Sequence, residues 1–496
     1  MKVDKSEFTL FLEGVDEREK LLIEEFFSGF ALNFSLAKKE IKKFKADFEK
    51  AIMALFNKGV TVDEALERLN LSSLGGFYAR SPFIWFPLDD AAKIYPTSME
   101  HGWQQVFRMA VYLKEDVSPE LLQIALHFTI KRFPSFATTL KKGFFWHYLS
   151  AVKKRFIVEE EKYMPCQPIK VSAYGSEPFR LAYYKNRISV EFFHVLTDGN
   201  GAMTFLKTLV ATYLKLCGVQ SNDKLVWNAN ETPTQEEFEN AFKKVEKTKN
   251  GSGFVEKPAI QMNGRLTRKK PCRTLHFKMS AGKLVEVSKK YGATVTAYLL
   301  ANMFYACQSA TDEMKGDINI QVPVNMRKFY SSKTVRNFSM YCGIRIPVES
   351  IGEKQSLINQ ISKQLSEKTC KEKMCEMANS ATKIVESIKL IPLIIKQPIA
   401  KFIYGCLGEK TLTTTLSNLG VVEMDSEYNE HIESMDFCLG AHTLNRLACT
   451  AVTVNNVTTF SISKMTADPS FEEKMYKLLS DDGIEVNVEG SEYYAR

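Results

Sequence analysis

The chain has 496 residues, 45% of them hydrophobic and 25% charged, with 66 basic against 58 acidic side chains and a formal charge of +8. That composition is globular, and the length exceeds one compact core, so two or three domains or subdomains are expected. The charge excess is mild. It fits either attraction of a phosphorylated small molecule or a slightly basic soluble protein, and no basic stripe with interleaved aromatics points to nucleic acid.

The opening "MKVDKSEFTLFLEGVDEREK" breaks every short apolar run with charges and does not read as a signal peptide. Residues 1–75 read as a helical extension: apolar residues recur at helical spacing, and Thr61 or Asp63 is placed to cap "TVDEALERLNLSSLGG". The charged run "KKEIKKFKADFEK" reads as a solvated helix face. The extension is either a small appendage or a partner-docking element.

A mixed α/β region comes next, with boundaries set at 76–218. "VFRMAVYL" alternates as a strand, "SPELLQIALHFTIKRFP" is a capped helix stopped by proline, and "FRLAYYKNRISVEFFH" reads as a hairpin. "GAMTFLKTLVATYLKLCG" is an apolar helix ending at glycine. Residues 219–271 look like a polar crossover, and the basic "NGRLTRKKPCR" near its end is either a solvated linker or a contact to substrate phosphates.

A second α/β region covers 272–496. It opens with a capped helix near "SAGKLVEVSKKYGATVTAYLLANMFYAC" and strands near "INIQVPV" and "YCGIRIPV". It closes with the hairpin "ACTAVTVNNVTTFSISK" and the helix "PSFEEKMYKLLSDDG". The apolar stretch "IKLIPLIIKQPIAKFIYGCLG" is interrupted by three lysines and two prolines, so it does not read as a membrane span. It reads as a core-facing helix, or as a cover over a substrate mouth that greets an oily substrate or a membrane surface. The ten cysteines are scattered without ligand-like or disulfide-scaffold spacing, so no metal is expected and the simplest compartment is the reducing cytoplasm.

The stretch that carries chemistry is "FFHVLTDGNGAMTFL", residues 192–206. As a nucleotide loop it fails, because Thr204 stands where a third glycine belongs and the polar "GVQSNDK" comes after the helix instead of a strand. As an acyl-transfer site it has the right parts. His194 sits at a strand end, where its ring can project into a cleft. An imidazole titrating near 6.5 suits a general base at neutral pH. Asp198 can fold back within the turn and pair with a distant cation, and Gly199 lets the backbone turn.

This H-x-x-x-D-G segment resembles that of the CoA-dependent acyltransferase superfamily. The group includes chloramphenicol acetyltransferase, carnitine acyltransferases, alcohol acetyltransferases and the condensation domains of nonribosomal peptide synthesis. "WFPLDDAAKIYP", "LLQIALHFTIKRFPSF", "VPVNMRKFYSSKTVRNF" and "TTLSNLGVV" extend the resemblance, closest to bacterial alcohol-acetyltransferase-like proteins, over most of the chain from Trp85 to "FEEKMYKLLSDDGIEV", with residues 1–75 outside it. The resemblance implies an α/β (α+β) fold of two similar subdomains, each a mixed sheet with helices, with a tunnel between them. It implies His194 as general base without a covalent acyl-enzyme, and Asp198 with Gly199 as supports of the loop. Arg327 is the matching position for the arginine that pairs with Asp198. Ser417 and Asn418, and more weakly Asn337, match positions that line the tunnel or hold the oxyanion. Many members carry two adjacent histidines; Phe193 stands in place of the first.

The activity implied is transfer of an acyl group, acetyl among the candidates, from acyl-CoA to the hydroxyl or amine of a small acceptor. Acyl-CoA is then a co-substrate, with no permanently bound cofactor. Two alternatives remain: a standalone condensation-type enzyme served by a phosphopantetheinyl carrier protein, and a degenerate binding protein.

Overall fold

A computed structural model describes residues 6–31, 36–75, 84–97, 105–152, 154–169, 177–248, 257–266, 273–403, 409–440 and 445–490. The alternating segments form two large sheets. The first is five-stranded, in the order Ile432–Leu439, Val106–Leu113, Arg187–Phe193, Phe179–Tyr184, Val158–Glu160. The second is seven-stranded, in the order Ser339–Pro347, Asp317–Asn325, Thr414–Val421, Leu447–Val454, Val457–Lys464, Arg273–Ser280, Asn487–Gly490. Both are mixed. Thr414–Val421 runs parallel to both of its neighbours, and Val158–Glu160 runs parallel to Phe179–Tyr184. A small sheet of Trp85–Pro87, His147–Ala151 and Thr138–Lys142 completes the set.

Each large sheet has its own apolar core, which gives the molecule two lobes. In the first, strand alternation sends Phe107, Met109, Val111, Val190 and Phe192 to the same core as helices Pro119–Ile130 and Gly199–Leu216. The opposite register of the same strands is polar. Arg108 meets Glu161 at 2.7 Å and Asp436 at 3.2 Å there, all three largely shielded from water.

The predicted caps are present. Ser118 Oγ accepts from the Leu121 amide, and Thr61, not Asp63, caps Val62–Arg68. Asn455 and Asn456 both adopt positive φ (46° and 62°), the backbone of a tight hairpin turn whose twist matches its strands.

The sequence-based expectation needs four amendments. The helix expected near residues 280–307 is two, Ala281–Lys290 and Val295–Ser309. Gly292, at φ 62°, breaks the run, and Thr294 caps the second piece. Strand Ile432–Leu439 belongs to the first lobe's sheet although it lies deep in the second half of the chain. The N-terminal helices are integral to the first lobe. Helix Lys38–Asn57 packs on Pro119–Ile130 and buries Phe44 and Phe48, and its Asp47 accepts from Arg155 at 2.5 Å and pairs with His127 at 2.9 Å. Helix Leu393–Ile403 is not core-facing along its apolar length, since Ile394, Ile395 and Ile399 are exposed. Of the basic stretch before Arg273, residues 267–272 lie outside the described residues.

Candidate active site

The loop after strand Arg187–Phe193 is set by the start of the next helix. Asp198 is the N-cap of helix Gly199–Leu216, its Oδ1 accepting from the Gly201 amide at 3.0 Å. Its Oδ2 accepts from Arg327 Nη1 at 2.8 Å and from the Phe338 amide at 2.7 Å. One buried carboxylate therefore starts a first-lobe helix and grips two points of the second lobe. Arg327 is itself fixed, since Nη2 donates to the carbonyls of Thr334 (2.8 Å) and Arg336 (2.7 Å). Charge-assisted bonds of this kind are the strong ones in a dry setting.

The lobes approach closely here. Thr197 Oγ1 donates to the Val335 carbonyl at 2.5 Å. A Cβ on Gly201 would lie 2.0 Å from that same oxygen, so only glycine permits the approach. Gly199 faces a softer neighbour, Leu419 Cδ2, 2.9 Å from where its Cβ would stand. Neither glycine has a positive φ, so their role is close approach, not a left-handed turn.

His194 stands in the half-buried space above this joint. Its amide donates to the Gln105 carbonyl at 2.8 Å. Its ring lies against Tyr95 (centroids 4.6 Å apart) and edge-on to Phe107 (5.2 Å). Nδ1 is 2.9 Å from Asn337 Oδ1. The Asn337 amide nitrogen donates to the His194 carbonyl (3.0 Å) and to Asp89 Oδ2 (3.3 Å). With two acceptors facing the amide nitrogen, its oxygen must face the ring, and Nδ1 must carry the hydrogen. Nε2 is then the basic nitrogen.

Asp89 has no exposed surface, and it forms an ion pair with buried Arg336 at 3.5 Å. Burial pushes its carboxyl above the usual carboxylate range, against the pull of Arg336. Sequence reasoning assigned no role to Asp89, Arg336 or Tyr95, although Asp89 and Tyr95 fall within "WFPLDDAAKIYP". Asp89 and Asn337 are 248 positions apart, and no local pattern links them.

Asn337, expected among oxyanion donors, instead has both amide hydrogens committed to His194 and Asp89. Asn418 is committed in part, donating one amide hydrogen to Thr296 Oγ1 (3.0 Å) and accepting from the Gly420 amide (2.8 Å). Ser417 is half-exposed and its hydroxyl enters no hydrogen bond among the described residues. Leu419, two positions on, packs on Gly199, so this strand end abuts the His194 turn. Phe193 is buried in the first core, so the place of a paired histidine is taken by an apolar ring with no polar contact to give.

Among the described residues, His276, Asp436 and Cys438 could together offer metal ligands. Asp436 Oδ2 already accepts from Arg108 and from the Tyr112 hydroxyl (2.7 Å), so a guanidinium lies against this cluster.

Residues 234–479, just under half of the chain, match the alcohol acetyltransferase family model. That match begins after the His194 turn. No curated protein matches the sequence. Solved structures match over most of the fold. TRI101 of Fusarium sporotrichioides, complexed with coenzyme A and T-2, has a TM-score of 0.53 at 12% identity, covering 82% of this chain and 100% of that one. The starter condensation domain of rhizomide synthetase, in complex with C8-CoA, has a TM-score of 0.52 at 12% identity, covering 82% and 98%. Polyketide synthase associated protein 5 of Mycobacterium tuberculosis has a TM-score of 0.53 at 11% identity, covering 79% and 97%. At these identities the likeness is one of fold, the two-lobed fold of CoA-dependent acyltransferases and condensation domains.

Proposed function

We propose that this alcohol-acetyltransferase-like chain, on the CoA-dependent acyltransferase fold, moves an acyl group from acyl-CoA to the hydroxyl or amine of a small acceptor. The observation that carries the reading is the state of His194: an imidazole at the lobe junction, protonated at Nδ1 by its bond to Asn337 and basic at Nε2. Nε2 takes the proton of the acceptor O–H or N–H as that atom attacks the thioester carbonyl. The tetrahedral intermediate collapses, the C–S bond breaks, and the CoA thiolate recovers the proton from Nε2. The products are an ester or amide and free CoA thiol. No acyl-enzyme forms, and the step gains roughly 10²–10⁴-fold from the base. Ser417 is the preferred donor to the oxyanion, because its hydroxyl is uncommitted, while both amide hydrogens of Asn337 and one of Asn418 are used. Asp198, Gly199 and Arg327 hold the loop.

The complexes of TRI101 with coenzyme A and of the rhizomide starter domain with C8-CoA support a thioester donor. The condensation-domain likeness also supports a second donor, an acyl group on a phosphopantetheinyl carrier protein. The intact His194–Asn337 bond speaks against a degenerate binding protein. A screen of acyl-CoA chain lengths against alcohols and amines, read by free-thiol release, tests the reading. Release that requires both donor and acceptor is expected. No release with any CoA donor, but product with a carrier-bound donor, would overturn CoA as the donor.

A further inference from the structure

Helix Leu393–Ile403 carries apolar residues on the side away from the protein. Leu393 and Lys396 face inward. The Leu393 amide donates to the Phe144 carbonyl at 2.8 Å, and Lys396 Nζ donates to the Phe145 carbonyl at 2.9 Å while lying 3.3 Å from the centre of the Trp146 ring. These bonds lock the helix onto the tip of the hairpin whose strands are Thr138–Lys142 and His147–Ala151. Outward stand Ile394, 82% exposed, Leu390, 73%, and Phe144, 71%, with Ile395, Ile399 and Phe145 also exposed. Phe144 and Phe145 pack edge to face at 4.8 Å, so helix and hairpin tip form one continuous surface.

An exposed aliphatic and aromatic surface of this kind is uncommon on a protein that meets only water. Lysines stand at its margin, although not every basic group nearby is available: Lys396 is turned inward onto Trp146, Lys93 is paired with Asp90 at 2.7 Å, and Lys154 and Arg155 are paired with Glu177 and Asp47. Lys142 and Lys389 are exposed at this margin; the nearest carboxylate along the helical segment is Glu386. Apolar side chains that can enter an acyl layer, with lysines at headgroup level, are the chemistry of an anionic bilayer surface.

We propose that helix Leu393–Ile403 and the Phe144–Phe145 hairpin tip form a docking surface for an anionic lipid bilayer, a peripheral contact and not a span. The helix packs on the short helix Ile94–Thr97, whose Tyr95 lies against the His194 ring, so the docked bilayer is joined through one element to the wall of the candidate active site. An apolar acceptor dissolved in the bilayer would then reach His194 from this side. That corollary rests on the acyl-transfer reading; the docking itself does not.

The test is co-sedimentation of the full chain with phosphatidylcholine vesicles, with and without phosphatidylglycerol. The chain binds the phosphatidylglycerol vesicles about tenfold or more tightly than phosphatidylcholine alone, and added salt weakens the binding. Ile394→Glu with Ile395→Glu, at exposed positions, loses that binding with an unchanged melting temperature, and Lys389→Glu weakens it without removing it. Three results would overturn the proposal: no sedimentation with either vesicle, equal binding by the folded double variant, or a dimer in sedimentation velocity that the double variant dissolves. The last would make a second copy the occupant. Thiol release from acyl-CoA with a water-soluble acceptor is scored separately, so docking and acyl transfer can fail independently.

Discussion

The two lobes share a plan and divide the work unequally. The first lobe supplies the histidine, at the end of a strand in a five-stranded sheet. The second supplies what holds it: Arg327 on Asp198, the Phe338 amide on the same carboxylate, and Asn337 on the ring. The exchange also runs the other way, since strand Ile432–Leu439 leaves the second half of the chain to complete the first sheet. A base held in this manner has its geometry only when the lobes are docked. With His194 as the proposed base, catalysis and lobe docking would be linked through a few buried polar groups, and changes there should separate chemistry from scaffold.

The largest combined effect is expected at the shared carboxylate. Asp198→Asn removes the charge facing Arg327, leaves a buried guanidinium unpaired and weakens the helix cap. The loss of stability is on the order of 3–5 kcal/mol, with turnover falling by about 10²-fold or more. Urea unfolding and thiol release measure the two; a variant with native stability would show that the ion pair does not tie the lobes together. Next comes Asn337→Ala, which frees Nδ1 to change tautomer while keeping the base in place. Its kcat should fall about 10–100-fold with KM nearly unchanged. An unaltered kcat would remove Asn337 as the positioning residue.

The smallest effect concerns the scaffold away from the joint. Burial, helped by Lys142, lowers the His147 pKa to about 4, and burial lowers those of His127 and His276. The folded state therefore keeps these rings neutral, while the unfolded chain protonates them near 6.5. The stability they contribute is fully present above about pH 6.5 and is lost as pH falls through the folded values. The melting temperature should drop by several degrees between pH 7 and pH 5, and His147→Phe should flatten part of that drop. A flat profile in the wild type would contradict it.

How much of this could be read from the chain depends on how local each feature is. The strand, turn and helix around His194, the Ser118 cap and the Asn455–Asn456 turn are decided by neighbours in sequence, and all were legible. The Asp198–Arg327 pair was legible only through resemblance, because 129 positions separate the partners. The Asp89–Arg336–Asn337 group was not legible, since nothing near Asp89 distinguishes a fully buried carboxylate from a turn residue. The break at Gly292 was hidden by apolar spacing that stays helical on both sides. The direction of helix Leu393–Ile403 was hidden because its apolar residues face both inward and outward, and composition cannot say which side meets water.

The most direct test of the central claim, that His194 is the base of an acyl transfer braced by the second lobe, is thiol release by His194→Ala beside its thermal melt. The account predicts turnover lowered by roughly 10²–10⁴-fold at a melting temperature close to the wild type, because the lobe ties run through Asp198 and not through the imidazole. Turnover at the wild-type rate in the folded variant would contradict it.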